Sequence, residues 1–263
     1  MHALKSVYDT VAMYAMLILL GIICLLWSVI SLPLHALPRR QGTAAGRFGI
    51  MGGFRLYSWF LSLSGAYRLD LRAIDALRDG PPVILAPNHP SLIDALLILT
   101  RHPNVACVMK GALMSNLFLG PGSRLARYIR SDMPRQMIKE AVADLREGGV
   151  LLLFPEGTRT TRAPLNPLTA SVGVIAKHAC VPVQTLIIET DSAYLRKGWP
   201  LFRRPHLPIT YRVRLGRRFD PPTDVAAFMV ALEQEYVQQL TGATQRPERL
   251  SDERTAQAGG CAR

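Results

Sequence analysis

From Val11 to Leu34 the chain runs for 24 residues without a charged side chain, mainly Leu, Ile, Met and Ala. About 20 such residues span the hydrocarbon of a bilayer as a helix, so the run predicts a transmembrane or deeply embedded helix. A secretory signal peptide is the competing reading. Its apolar core covers about 7 to 15 residues, whereas this run is longer and only Lys5 precedes it. Arg39, Arg40 and Arg47 follow. Positive charge is retained on the cytoplasmic side, which puts the following domain on the cytoplasmic face of the cell (inner) membrane.

Residues 48–69 form a second, weaker apolar segment that Arg55 interrupts and that carries Tyr57 and Trp59. Aromatic residues of this kind favour the headgroup level, so an interfacial helix fits better than a second span; an ordinary core helix is the alternative. Leu69–Leu77 alternates polar and apolar residues and ends in the loop Arg78-Asp79-Gly80-Pro81-Pro82. Residues 1–67 are therefore read as membrane-anchoring helices and 68–241 as the main domain. Residues 242–263 form a polar tail without apolar periodicity, read as disordered.

Within the main domain, strand-like runs fall at Val83–Ala86, Val105–Met109, Val150–Phe154, Val183–Ile188 and Tyr211–Leu215. Helical patterns lie between them at about 92–102, 112–127, 134–147 and 169–179, with a last one at Val225–Leu240. Pro134–Glu147 is the cleanest, with Met137, Ile138, Ala141, Val142 and Leu145 at helical spacing before Gly148-Gly149. Alternating strands and helices predict an α/β fold with a largely parallel sheet flanked by helices, and no long loop is required.

Charge and cysteine content narrow the partners. Lys and Arg exceed Asp and Glu by 12, which calls for an anionic partner: phospholipid, phosphorylated substrate or nucleic acid. Cys24, Cys107, Cys180 and Cys261 are too widely spaced for a zinc site or a disulfide framework. A basic cluster with Trp199 and Phe202 among Arg196, Lys197, Arg203, Arg204, Arg212, Arg214, Arg217 and Arg218 suits a leaflet surface better than nucleic acid, given the apolar N-terminus.

Chemistry concentrates in Pro87-Asn-His-Pro-Ser-Leu-Ile-Asp94, which leaves the first apolar strand and enters a helical run. Pro90 falls where a first helical residue would be. A carboxylate on one nitrogen of His89 would fix its tautomer and make the other a better base, suited to deprotonating an alcohol. The plainer alternative is a capped helix, with Asn88 or His89 capping and Asp94 at its positive end. The second stretch is Phe154-Pro-Glu-Gly-Thr-Arg159. It follows a strand, in the place where α/β proteins hold ligands. Gly157 permits close backbone approach, Arg159 suits a phosphate, and Glu156 would orient Arg159 or bond an acceptor hydroxyl.

In this order, the two stretches together resemble the glycerolipid acyltransferases, in particular the 1-acylglycerol-3-phosphate (lysophosphatidate) acyltransferase family. Both of that family's signatures, Asn-His-x-x-x-x-Asp and Phe-Pro-Glu-Gly-Thr-Arg, occur without mismatch. The resemblance covers roughly residues 70–215. It implies a His89/Asp94 catalytic pair and an acceptor site made of Glu156, Gly157, Thr158 and Arg159. Further phosphate contacts are implied in a middle block, where Arg130 is favoured over Lys110 and both are placed beside Arg159. The implied partners are membrane phospholipid, a lysophospholipid acceptor and acyl-CoA or acyl carrier protein as co-substrate; no cofactor, metal or nucleic acid is implied. The family's fourth block usually reads Val-Pro-apolar-apolar-Pro, but here Gln184 and Thr185 follow Val181-Pro182-Val183. After the second motif, Leu168–Gly173 also departs from the usual pattern. These departures are expected to lie where the substrate pocket closes, and so favour another lipid acceptor as the alternative.

Overall fold

The computed structural model describes residues 2–244. The uncharged run lies in α1 (His2–Leu34), whose Lys5–Leu34 stretch is long and apolar enough to cross a membrane. Ile18, Leu26, Val29 and Leu32 stand exposed along it. A short turn leads to α2 (Arg39–Leu63), which begins well before the predicted segment at residue 48.

Two residues explain this longer helix. A Cβ on Gly46 would lie 2.5 Å from the Ala126 backbone nitrogen, so the two backbones meet there. Arg47 is buried, and its guanidinium donates to the Ala126 carbonyl, Asn104 Oδ1 and Asp144 Oδ1 at 3.1, 2.8 and 2.5 Å. Arg47 is thus a structural tie into the domain rather than a loop charge next to the membrane. The other face of α2 leaves Phe48, Leu56, Trp59 and Leu63 exposed.

The domain begins with β1 (Tyr67–Asp70) and a 3-10 helix (Arg72–Leu77), which take up the alternating stretch. Then come β2 (Ile84–Pro87), α3 (Asp94–Leu99), β3 (Val105–Met109), α4 (Gly111–Met114), α5 (Gly120–Leu125) and β4 (Ile129–Arg130). They are followed by α6 (Pro134–Arg146), β5 (Val150–Leu152), α7 (Ser171–Ala179), β6 (Val183–Thr190), β7 (Ile209–Phe219) and α8 (Val225–Thr244). Helix α8 continues into the segment read as disordered; the rest of that tail lies outside the described residues. The predicted helix over 112–127 is two short ones. Asn116 Oδ1 accepts the Phe118 N–H at 2.7 Å, and that turn breaks the pattern.

The sheet order is β1-β7-β6-β2-β5-β3-β4, parallel at every pairing except β6–β7. Side chains of the central strands alternate between two cores. Leu85, Val105, Cys107, Val150, Leu152, Leu186 and Ile188 face α1, α2 and α3. Ile84, Ala86, Ala106, Leu151, Val183 and Ile187 face α6, α7 and α8. Burial on both faces is why these strands read as continuous apolar runs. Contrary to expectation, two long irregular segments are present, 153–170 and 191–208. Both leave the sheet at the edge where β2 ends, which is where such loops carry function.

Candidate active site

Strands β2 and β5 are parallel neighbours, so the chain leaves both at the same edge of the sheet. Asn88 continues the pairing past Pro87: its Nδ2 donates to the Ile188 carbonyl at 3.0 Å and its Oδ1 accepts the Ile188 N–H at 2.7 Å. A side chain here imitates one more step of backbone ladder and fixes where the next residue emerges. That residue is His89.

His89 Nδ1 lies 2.9 Å from Asp94 Oδ2, and no described residue bonds its Nε2. The same carboxylate oxygen accepts the Ser91 N–H at 2.7 Å. Asp94 is completely buried, and burial raises its carboxyl above the ordinary range, opposed by its bonds to His89 and Ser91. The alternative of a capped helix does not describe this turn. Helix α3 starts at Asp94 itself, so Pro90 lies in the preceding turn and neither Asn88 nor His89 caps. Ser91 is likewise in the turn, its hydroxyl donating to the Tyr194 carbonyl at 3.1 Å. The ring of Phe154 stacks on the imidazole, with centroids 3.9 Å apart.

The second motif holds the first from behind. Glu156 Oε1 accepts the His89 N–H at 2.9 Å and the Thr160 hydroxyl at 2.8 Å; Oε2 accepts the Asn166 N–H at 2.9 Å. The Thr160 N–H closes the link onto the His89 carbonyl at 2.7 Å. Glu156 is therefore engaged in placing His89, not in orienting Arg159. Gly157 has φ +64°, in the left-handed region, and Thr158 beside it is half-buried. Asn166 gathers the N–H groups of Thr161 and Arg162 and the Thr161 hydroxyl. Thr160 and Asn166 are supports that motif reading passes over. Their signal in sequence is only proximity to the motifs.

Arg159 directs Nη1 at the carbonyls of Leu195 and Arg196, at 2.9 and 3.2 Å. These lie in the segment after β6, on one flank of β2. Lys110 follows β3 and Arg130 ends β4, on the other flank. At about 4.8 Å between neighbouring strands, they stand roughly 10 and 15 Å to the side of β2. Arg130 is exposed and forks onto Asp132, at 3.2 and 2.5 Å, holding that carboxyl below its usual range. The three basic residues thus do not form one cluster beside Arg159; they bracket His89.

Gln184 and Thr185 also sit elsewhere than expected. They lie in the first half of β6, level with Leu85 and Ala86 of β2, where Gln184 Nε2 donates to the Gly216 carbonyl and the Thr185 hydroxyl to that of Arg217. They stitch an irregular register between β6 and β7 and close no pocket at the motif edge. Leu168–Gly173 does return to the second motif, through Thr169, which donates twice to the Pro155 carbonyl. Among the described residues no cluster of three His, Cys, Asp or Glu side chains is arranged to hold a metal ion.

Comparison with known proteins addresses the chemistry. The sequence pattern of the family described as acyltransferase matches residues 68–189, the stretch that contains both motifs. That stretch is an acyltransferase domain, and the chain resembles the 1-acylglycerol-3-phosphate acyltransferase family. It is 27% identical to the 1-acyl-sn-glycerol-3-phosphate acyltransferase of Limnanthes alba over 90% of this chain and 80% of that one. With the enzyme of the same description from Pseudomonas aeruginosa it shares 24% identity, over 65% of this chain and 66% of the other. The crystal structure of the 1-acyl-sn-glycerophosphate (LPA) acyltransferase PlsC from Thermotoga maritima superposes with a TM-score of 0.70. That superposition covers 93% of this acyltransferase and 98% of the other chain at 18% identity, and so shows a common fold.

Proposed function

We propose that this acyltransferase moves an acyl chain from acyl-CoA or acyl carrier protein to the free hydroxyl of 1-acylglycerol-3-phosphate, giving phosphatidic acid. The observation that carries this reading is the 2.9 Å contact between His89 Nδ1 and a fully buried Asp94, which leaves Nε2 as the basic nitrogen. Nε2 takes the hydroxyl proton as the oxygen attacks the thioester carbonyl. The tetrahedral intermediate then expels the thiolate, which takes the proton from the imidazolium and leaves as the thiol. Arg159 is the residue best placed to hold the acceptor phosphate, since its guanidinium already serves two acceptors beside the Ser91–Leu92 turn. Holding both substrates in register lowers the barrier by several kcal/mol in well-positioned systems. Helix α1 anchors the enzyme to the cell membrane, with the α/β domain on the cytoplasmic face, and membrane phospholipid surrounds it.

The test is acyl transfer by membranes containing the protein, offered lysophosphatidic acid and a mixture of acyl-CoAs, beside a His89→Ala control. Phosphatidic acid should form and drop by at least ~10²-fold in the control, the lower bound for losing a positioned base. Full activity in folded His89→Ala would remove the mechanism. No product from folded wild type, but product from another lyso-lipid or from an acyl-carrier-protein donor, would revise the substrates alone.

A further inference from the structure

Arg55 interrupts the apolar character of α2, and acyl transfer at His89 gives it no task. It lines a cavity of about 140 Å³ together with Asp75, Arg78, Thr100 and Arg101. One water needs roughly 10–15 Å³ by that kind of measure, so there is room for a tetrahedral anion. The residues converge from three elements: α2, the 3-10 helix with the residue after it, and the end of α3. Arg78 leads toward the start of β2 and Arg101 toward the start of β3, so the cavity lies at the edge of the sheet opposite His89.

The electrostatics of this cavity are unbalanced. Asp75 is taken up by Arg101, whose Nε donates to Oδ1 at 2.8 Å and whose Nη2 reaches Oδ2. The Thr100 hydroxyl is spent on the Leu97 carbonyl at 2.6 Å. Among the described residues, the guanidiniums of Arg55 and Arg78 form neither an ion pair nor a hydrogen bond. Two free planar forks around one cavity repel each other until an anion lies between them, and bidentate donors match phosphate oxygens. On α2 the neighbours Leu56 and Trp59 are exposed apolar side chains that fit a lipid interface. Such a surface brings the cavity to headgroup level.

We propose that Arg55 and Arg78, backed by Arg101, form a phosphate-binding site separate from the active site. Its ligand is a phosphate group, carried by an anionic lipid headgroup or by a free phosphate ester.

The test uses the full-length protein in two arms. In detergent micelles, inorganic phosphate is titrated calorimetrically into wild type, Arg55→Gln/Arg78→Gln and Lys139→Gln. In the second arm, the same proteins are floated with vesicles of phosphatidylcholine, with and without phosphatidylglycerol. The double variant should bind roughly tenfold more weakly in at least one arm, the loss expected when a charge-assisted hydrogen bond is removed. A loss with inorganic phosphate alone identifies a free phosphate ester; a loss on phosphatidylglycerol vesicles identifies a lipid headgroup. Lys139→Gln, on the exposed face of α6, should match wild type. Arg55→Lys/Arg78→Lys keeps the charges and should fall between, which separates lost binding from lost folding. A double glutamine variant equal to wild type in both arms overturns the proposal. So does Lys139→Gln weakening the response as much as the double variant.

Discussion

His89 takes its tautomer from Asp94, its backbone position from Glu156 and Thr160, and the orientation of its ring from Phe154. Only the first of these was legible in the sequence. His-x-x-x-x-Asp suggests a pair once the chain is allowed to fold back, whereas the partners of Glu156 depend on how two distant loops meet. A buried carboxylate that accepts three hydrogen bonds from its own protein has little capacity left for substrate, which turns a suspected ligand into a support. The fork of Arg159 suggests a phosphate ligand in sequence, but nothing there foretells its bracing of the Leu195–Arg196 turn. Arg159→Ala should therefore raise KM for the phosphorylated acceptor more than it lowers kcat, as loss of ground-state binding does. Steady-state kinetics over a range of lysophosphatidic acid decide it; an unchanged KM would take Arg159 out of the phosphate site.

The strands were the most legible elements, because residues such as Val105–Met109 and Val150–Leu152 are apolar toward both layers. Helix α2 was legible only in its apolar half. Its first turns are polar, and they hold because Gly46 admits the Ala126 backbone and Arg47 reaches three acceptors beyond it. Substituting Gly46→Ala should force α2 away from α5 and cost about 1–3 kcal/mol, as overpacking does. Gly52→Ala offers the contrast: no atom lies within 4 Å of its added Cβ. That change should stabilise by roughly 0.5–1 kcal/mol through helix propensity alone. Urea unfolding of the two variants beside wild type measures both signs. If the two changes shift stability alike, close backbone contact is not what shapes this helix.

At the scale of the molecule, alternation of strands and helices foretold the α/β class and the parallel centre. It could not foretell that β7 runs antiparallel to β6, since direction is set by where the 191–208 segment returns the chain. Stability should also depend on pH through His102, which is buried between α3 and β3 and accepts the Asn104 N–H on Nδ1 at 3.2 Å. Burial holds its imidazole below the ordinary range. A depressed histidine contributes stability that is complete above its unfolded pKa near 6.5 and is lost as pH falls through the folded value. Unfolding midpoints should therefore drop between pH 7 and pH 5, and drop less in His102→Gln; equal losses in the two proteins would assign the effect to other groups. A last consequence comes from the sheet order. Strand β1 has β7 as its sheet neighbour, and Tyr67 pairs with Ile209, about 140 residues later. At 5–20 residues per second, a ribosome needs roughly 7 to 28 seconds to deliver that partner. For all of that time the nascent chain holds α1 and β1 with an unpaired edge, so the border between α2 and the α/β domain is the last part of the sheet to close.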